Sequence, residues 1–211
     1  MRQVVPILIV VILTAYGPLS MIDELEETNS KFSGTNSGDV FDVPDWRIGD
    51  KWVYETGFDV NELIAQANVS ASIDTLVGDT TVVVEDITFM DIEGVQTLVY
   101  IVDIYGEFET GTNSQITNPT NGDTFTGKVE IEYNGQDIYR VSDLAQWNMT
   151  FNLTVEFIPY FFGFPVSIGT QTLARGLEFS TIYNPPREKY DFPLRTGDQW
   201  VATYDSSTDV S

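Results

Sequence analysis

From Trp147 to Phe157 apolar and polar side chains alternate without a break. Trp147, Met149, Phe151, Leu153, Val155 and Phe157 take one parity; Asn148, Thr150, Asn152, Thr154 and Glu156 take the other. A period of two over this length predicts a strand with one buried face and one wet face. Shorter stretches repeat the pattern. Trp46 to Tyr54 predicts a strand after a Gly49-Asp50 turn, with Trp52 and Tyr54 on one face. Val69 to Leu76 leads through a Gly78-Asp79 turn into Thr80 to Asp91, and Glu93-Gly94 returns the chain as Val95 to Tyr105. Asn134-Gly135 has the chemistry of a type I′ hairpin turn between Lys128–Tyr133 and Gln136–Val141. Strands over Val166–Ala174 and Leu177–Tyr183 complete the set before Pro185-Pro186 breaks the sheet.

Two segments depart from this rhythm. Asp59 and Glu62 have capping-box spacing ahead of Leu63, Ile64 and Ala67, which predicts one short helix. Gly111 to Gly127 is rich in Asn, Thr and Gly and reads as a loop. The expected fold is mainly β: a curled antiparallel sheet, half-barrel or barrel-like, with one short helix. A β-sandwich is the alternative.

The pattern also sets the organisation of the chain. Met1-Arg2-Gln3 precedes a compact apolar run from Val4 to Ala15, so residues 1–22 read as a signal peptide or N-terminal anchor. Residues 23–43 are an acidic linker poor in apolar side chains. The β-rich domain is expected over 44–184. Arg47-Ile48-Gly49-Asp50-Lys51-Trp52-Val53 recurs as Arg195-Thr196-Gly197-Asp198-Gln199-Trp200-Val201, five of seven identical at an offset of 148. That offset is the length of a domain, so 185–211 reads as a linker and the first strand of a second, truncated copy.

Charge and composition then narrow the function. Thirty-two acidic residues against ten basic ones give a net charge of −22, which repels nucleic-acid phosphates. With no Cys and no His, disulfides, lipidation on Cys, Ser-His-Asp and Cys-His relays, and His or Cys zinc sites are all excluded. No cofactor or catalytic residue is assigned. A carboxylate glycosidase needs two acids across a cleft, which the spacing of so many acids cannot identify.

Four groups of residues carry candidate roles. Asn68, Asn148 and Asn152 head N-glycosylation sequons, the last two on the predicted wet face of their strand. Tyr160, Phe161, Phe162 and Phe164 lie in Pro159–Pro165, either as a plug folded over the sheet end or as an exposed apolar lip that meets a ligand or a membrane. Asn118 to Thr124 offers oxygen ligands but lacks the EF-hand pattern, so a plain turn is preferred to calcium. In the repeat, Asp50 and Asp198 are expected to accept backbone N–H groups. Trp52 and Trp200 are expected to anchor strands, with Arg47 and Arg195 meeting a nearby acid or carbonyl; Gly49 and Gly197 shape the turns.

Pro185-Pro186-Arg187 followed by Phe192-Pro193-Leu194-Arg195-Thr196-Gly197-Asp198-Gln199-Trp200 resembles the strand opener of exported archaeal and bacterial surface proteins. Tyr139-Arg140-Val141-Ser142-Asp143-Leu144-Ala145 resembles another element of the archaeal ones. Some proteins with such an opener are similar to lipoprotein-carrier half-barrels, and that resemblance implies a curved sheet able to hold an apolar ligand. The expected function is thus a non-catalytic, exported cell-surface module, structural, adhesive or ligand-capturing. The alternative is a carrier of an apolar ligand such as lipid. Membrane proximity through the N-terminal segment, an apolar ligand and other surface proteins are the expected partners.

Overall fold

The computed structural model describes residues 40–59, 61, 70–117, 122–166, 170–195 and 199–211. Its strands are β1 (Val40–Phe41), β2 (Lys51–Phe58), β3 (Ala71–Ser72), β4 (Leu76–Ile92), β5 (Val95–Glu109), β6 (Ser114–Thr117), β7 (Thr124–Arg140), β8 (Gln146–Phe161), β9 (Phe164–Pro165), β10 (Gln171–Arg187), β11 (Leu194–Arg195) and β12 (Asp205–Val210). The protein is mainly β, as the periodicity predicts. Among the described residues only Asn61 is helical; the rest of the expected helix, like residues 1–39, lies outside them.

Every ladder is antiparallel, and the main sheet runs β12-β10-β8-β7-β5-β4-β2. Among the described residues no ladder joins β12 to β2, so the sheet is not closed into a barrel. β6 pairs with both β3 and β7, and β9 pairs with β8.

Five strands run 15 to 17 residues, about three times the usual length. Two predicted turns are missing because these strands run through them. Gly78-Asp79 lies inside β4, where Gly78 faces Phe108. Asn134-Gly135 lies inside β7, paired with Tyr105 and Ile104 on one side and Asn152 and Phe151 on the other. Here glycine serves close approach instead of a turn. A methyl on Gly135 would collide with the Thr150 carbonyl oxygen and stand 2.6 Å from the Phe151 Cβ. On Gly106 of β5 it would sit 2.5 Å from the Asp79 carbonyl and 2.8 Å from the Tyr133 ring. Gly78, Gly106 and Gly135 step two residues per strand across the sheet, tracing a diagonal along which it can bend sharply.

That diagonal separates the two larger of three apolar clusters, the third being Ile92, Val99 and Ile138. On one side Leu76, Phe108, Val129, Met149, Phe151, Leu153, Val155, Phe157 and Phe179 form the larger cluster, with Phe151 and Phe179 stacked at 4.6 Å. On the other, Val82, Val84, Tyr100, Val102, Ile104 and Tyr139 pack with Trp46 and Trp52. Tyr133 packs against both. Its ring crosses Gly106, stacks 5.9 Å from Phe108, and its hydroxyl meets Thr80 Oγ1 at 2.5 Å. Burial pushes the Tyr133 pKa up to about 12, so the phenol stays protonated.

Other expectations are met or corrected locally. In β8 the alternation holds from Met149 to Phe157, every odd residue buried and every even one more open. Trp147 alone departs: Ile138 pairs with Asn148 and Tyr139 with Gln146, so a bulge displaces it. Glu93-Gly94 turns the chain, with φ of 55° and 82°. The expected loop at 111–127 instead holds β6, which pairs with the start of β7. Pro185-Pro186 lies within β10; pairing with β8 lapses between Ile182 and Arg187 and the strand continues.

Candidate functional site: an aromatic finger and a buried polar cluster

β8 continues past its pairing with both neighbours. Its last rung with β7 is Gly127 to Pro159, and its last with β10 is Phe157 to Gln171. Beyond them, among the described residues, it pairs only with β9, Tyr160 to Pro165 and Phe161 to Phe164, and the Val166 N–H donates to the Pro159 carbonyl at 2.9 Å. The result is a two-stranded finger at this end of the sheet, where β7 continues to Thr124 against β6 instead of β8. Phe162 and Gly163 form its tip with φ of 51° and 81°, the positive pair of a type I′ turn. Asn, Asp or Gly suits that first position, and a bulky apolar residue there is strained by about 1–2 kcal/mol. Phe161, Phe162 and Phe164 are 66%, 88% and 74% exposed, while Tyr160 is half-buried. Phe161 and Phe162 meet edge to face at 4.5 Å. The expected plug over the sheet end does not form; the three phenylalanines face solvent.

The segment that carries the finger is itself uncharged. No Asp, Glu, Lys or Arg occurs from Phe157 to Ala174, in a chain where a fifth of residues are charged. The acids gather elsewhere. Glu55, Asp79, Glu107, Glu109, Glu130 and Glu132 line a groove of about 520 Å³ on the outer sheet face. Lys128 bonds Glu109 and Glu130 at its margin, and these partners raise its pKa. Among the described residues no group of three or more His, Cys, Asp or Glu is arranged to hold a metal ion.

A second polar feature was not legible as a site in the sequence. Asp137 of β7 faces inward and is 1% exposed, alongside Tyr139 and Gln146. The Tyr139 hydroxyl donates to Asp137 Oδ2 at 2.7 Å. Among the described residues Asp137 Oδ1 and both amide atoms of Gln146 make no hydrogen bond of good geometry, although Gln146 stands near enough to Asp137 to favour its charged form. Burial pushes the Asp137 pKa up to about 6, against the Tyr139 bond and the nearby charges of Lys189 and Arg187, which pull it down. Burial and the Asp137 charge raise the Tyr139 pKa. The Arg187 guanidinium lies over Tyr183 and Tyr204 at 5.2 and 5.9 Å. Among the described residues Asp137 is the sole buried acid, so no second buried carboxyl faces it. The signal was parity: carrying Tyr133, Gly135, Asp137 and Tyr139 through as one strand puts Asp137 inside, and the Asn-Gly turn reading hid it.

The repeat residues separate. The Arg47 N–H donates to Asp50 Oδ2 at 2.8 Å, while Gly49 at φ 90° donates to Val84 O. Asp50 is thus the backbone acceptor expected of it. Trp52 packs 5.3 Å from Trp46 in the smaller core. In the second copy Gly197 and Asp198 lie outside the described residues. Arg195 ends β11 against Val40 of β1. Trp200 belongs to no strand and is 39% exposed, its Nε1 donating to Lys189 O at 3.0 Å. The strand anchor expected there is corrected: no neighbouring strand pairs with Trp200. Strand β12 instead joins the edge of β10. Asn152 is exposed and Asn148 partly exposed on the outer face of β8; Asn68 and Asn118–Asn121 lie outside the described residues. No protein-family model, no curated protein and no solved structure matches the chain.

Proposed function

We propose that the protein is an exported, non-catalytic module of the cell surface that acts by binding, with the finger from Pro159 to Val166 as its contact. The observation that carries this reading is the finger's tip: three exposed phenylalanines, one of them strained in the left-handed region. Strain combined with apolar exposure opposes folding, and the edge-to-face contact of Phe161 with Phe162 leaves most of both rings in solvent, which points to an external partner. The larger apolar cluster packs its side chains against one another, whereas the phenylalanines of the finger are open to a ligand. The apolar head at residues 4–15 supports export.

The test is retention of the full chain on an octyl-derivatised matrix, compared with a Phe161→Ser, Phe162→Ser, Phe164→Ser variant of unchanged circular dichroism. The wild-type chain is expected to be retained and the variant to elute early. Equal retention of the two would remove the finger from the function.

A further inference from the structure

We propose that the finger's partner is the interface of a lipid bilayer with uncharged or zwitterionic headgroups, an inference that rests on the binding role just assigned to it. Three properties favour lipid over protein. The first is size. Three phenylalanine rings offer on the order of 500 Å², well below the ~800 Å² per partner of a stable protein interface. A few inserted aromatic rings nevertheless suffice to dock a chain at a bilayer surface.

The second property is chemistry. A protein interface surrounds its apolar centre with a polar rim and hydrogen bonds. Here eighteen consecutive residues, Phe157 to Ala174, carry no charge. Tyr160, half-buried at the base of the finger, provides an amphipathic ring at the level where headgroups would lie.

The third property is shape and polarity along the molecule. The finger lies past the last rungs that β8 makes with β7 and β10, and its three phenylalanines are exposed at that end of the molecule. The other end of the sheet, at the Glu93-Gly94 turn, carries Asp91 and Glu93. With a net charge of −22, an anionic surface would repel the chain at low salt. That selects neutral headgroups.

Absence of cysteine makes the test direct, because one introduced cysteine is the sole labelling site. The full chain carrying Phe162→Cys, labelled with an environment-sensitive fluorophore, is titrated with phosphatidylcholine vesicles. The same label at Glu93→Cys reports the opposite end. The expected result is a blue-shifted, brighter signal from position 162 and none from 93. Serine at Phe161 or Phe164 should lower partitioning about tenfold each. Replacing a third of the lipid by phosphatidylglycerol should weaken binding in a manner reversed by salt. No shift at position 162, with octyl retention still dependent on the phenylalanines, overturns the lipid partner and leaves a protein partner for the finger. Loss of both signals overturns the binding role as well. Equal shifts at 162 and 93 would show docking through another part of the chain and also overturn the proposal.

Discussion

Replacing Asp137 by Asn should stabilise the protein above pH 6 and remove a pH dependence that the wild-type chain carries. The carboxyl is fully buried, with its pKa raised from an ordinary 3.8 to about 6 chiefly by desolvation. Below the lower value both folded and unfolded chains hold the proton, and nothing is lost. Between the two values only the folded chain holds it, so stability falls as pH rises. Above about 6 both are ionised and the full cost is present. At ~1.4 kcal/mol per pKa unit the shift corresponds to about 3 kcal/mol. Asn keeps an oxygen to accept the Tyr139 hydroxyl and has no charge to bury, though it forgoes attraction to Lys189 and Arg187. A net gain of about 2 kcal/mol at pH 8 follows, or roughly 4–8 °C in Tm for a chain of this size. The other acids of this chain titrate in the same range, so the measurement is a difference. Urea unfolding followed by tryptophan fluorescence, at several values from pH 4 to 8, compares the two proteins. The variant's advantage should be near zero at pH 4 and grow to its plateau above pH 6.5. A constant difference across that range, or a less stable variant at pH 8, would refute the argument.

Gly135→Ala should cost more than 2 kcal/mol by the same assay, because the added methyl meets the backbone of β8 and not a movable side chain. The equivalent change at Gly94, where nothing lies within 4 Å but φ is 82°, should cost about 1 kcal/mol from backbone strain alone. Trp52→Ala should destabilise by about 3 kcal/mol and Trp200→Ala by less than 1, since the first ring packs in the core and the second is in part solvated. Equal losses at the two tryptophans, measured by thermal denaturation, would show that the second copy is seated as the first is.

What was legible in the sequence follows from which forces are local. The strand at Met149–Phe157 was read correctly because parity is a property of neighbouring residues, and a buried face enforces it along the whole segment. The Glu93-Gly94 turn was visible for the same reason. Asn134-Gly135 and Gly78-Asp79 misled because their local chemistry matches a turn while their role is set by strands far away in sequence. Gly135 is needed by the Thr150 carbonyl and Gly78 by that of Glu107. The exposed finger could be named from its aromatics, but whether it plugs the sheet or stands clear depends on where β7 and β10 stop. Asp137 was hidden by the false turn. For the repeat, identity of sequence foretold the turn at Asp50 and not the fate of Trp200, whose surroundings are supplied by other parts of the chain.

The length of β4, β5 and β7 has a consequence for how the molecule comes apart. Each passes through both apolar clusters, on either side of the glycine diagonal. A core split in two would ordinarily allow one half to open while the other persisted. Among the described residues no loop lies on the boundary between these two clusters; β4, β5 and β7 cross it as continuous strands, with the Tyr133 ring resting on both. Amide exchange across the two clusters should therefore converge on a single opening free energy, and the bend that divides the core also makes it unfold as one.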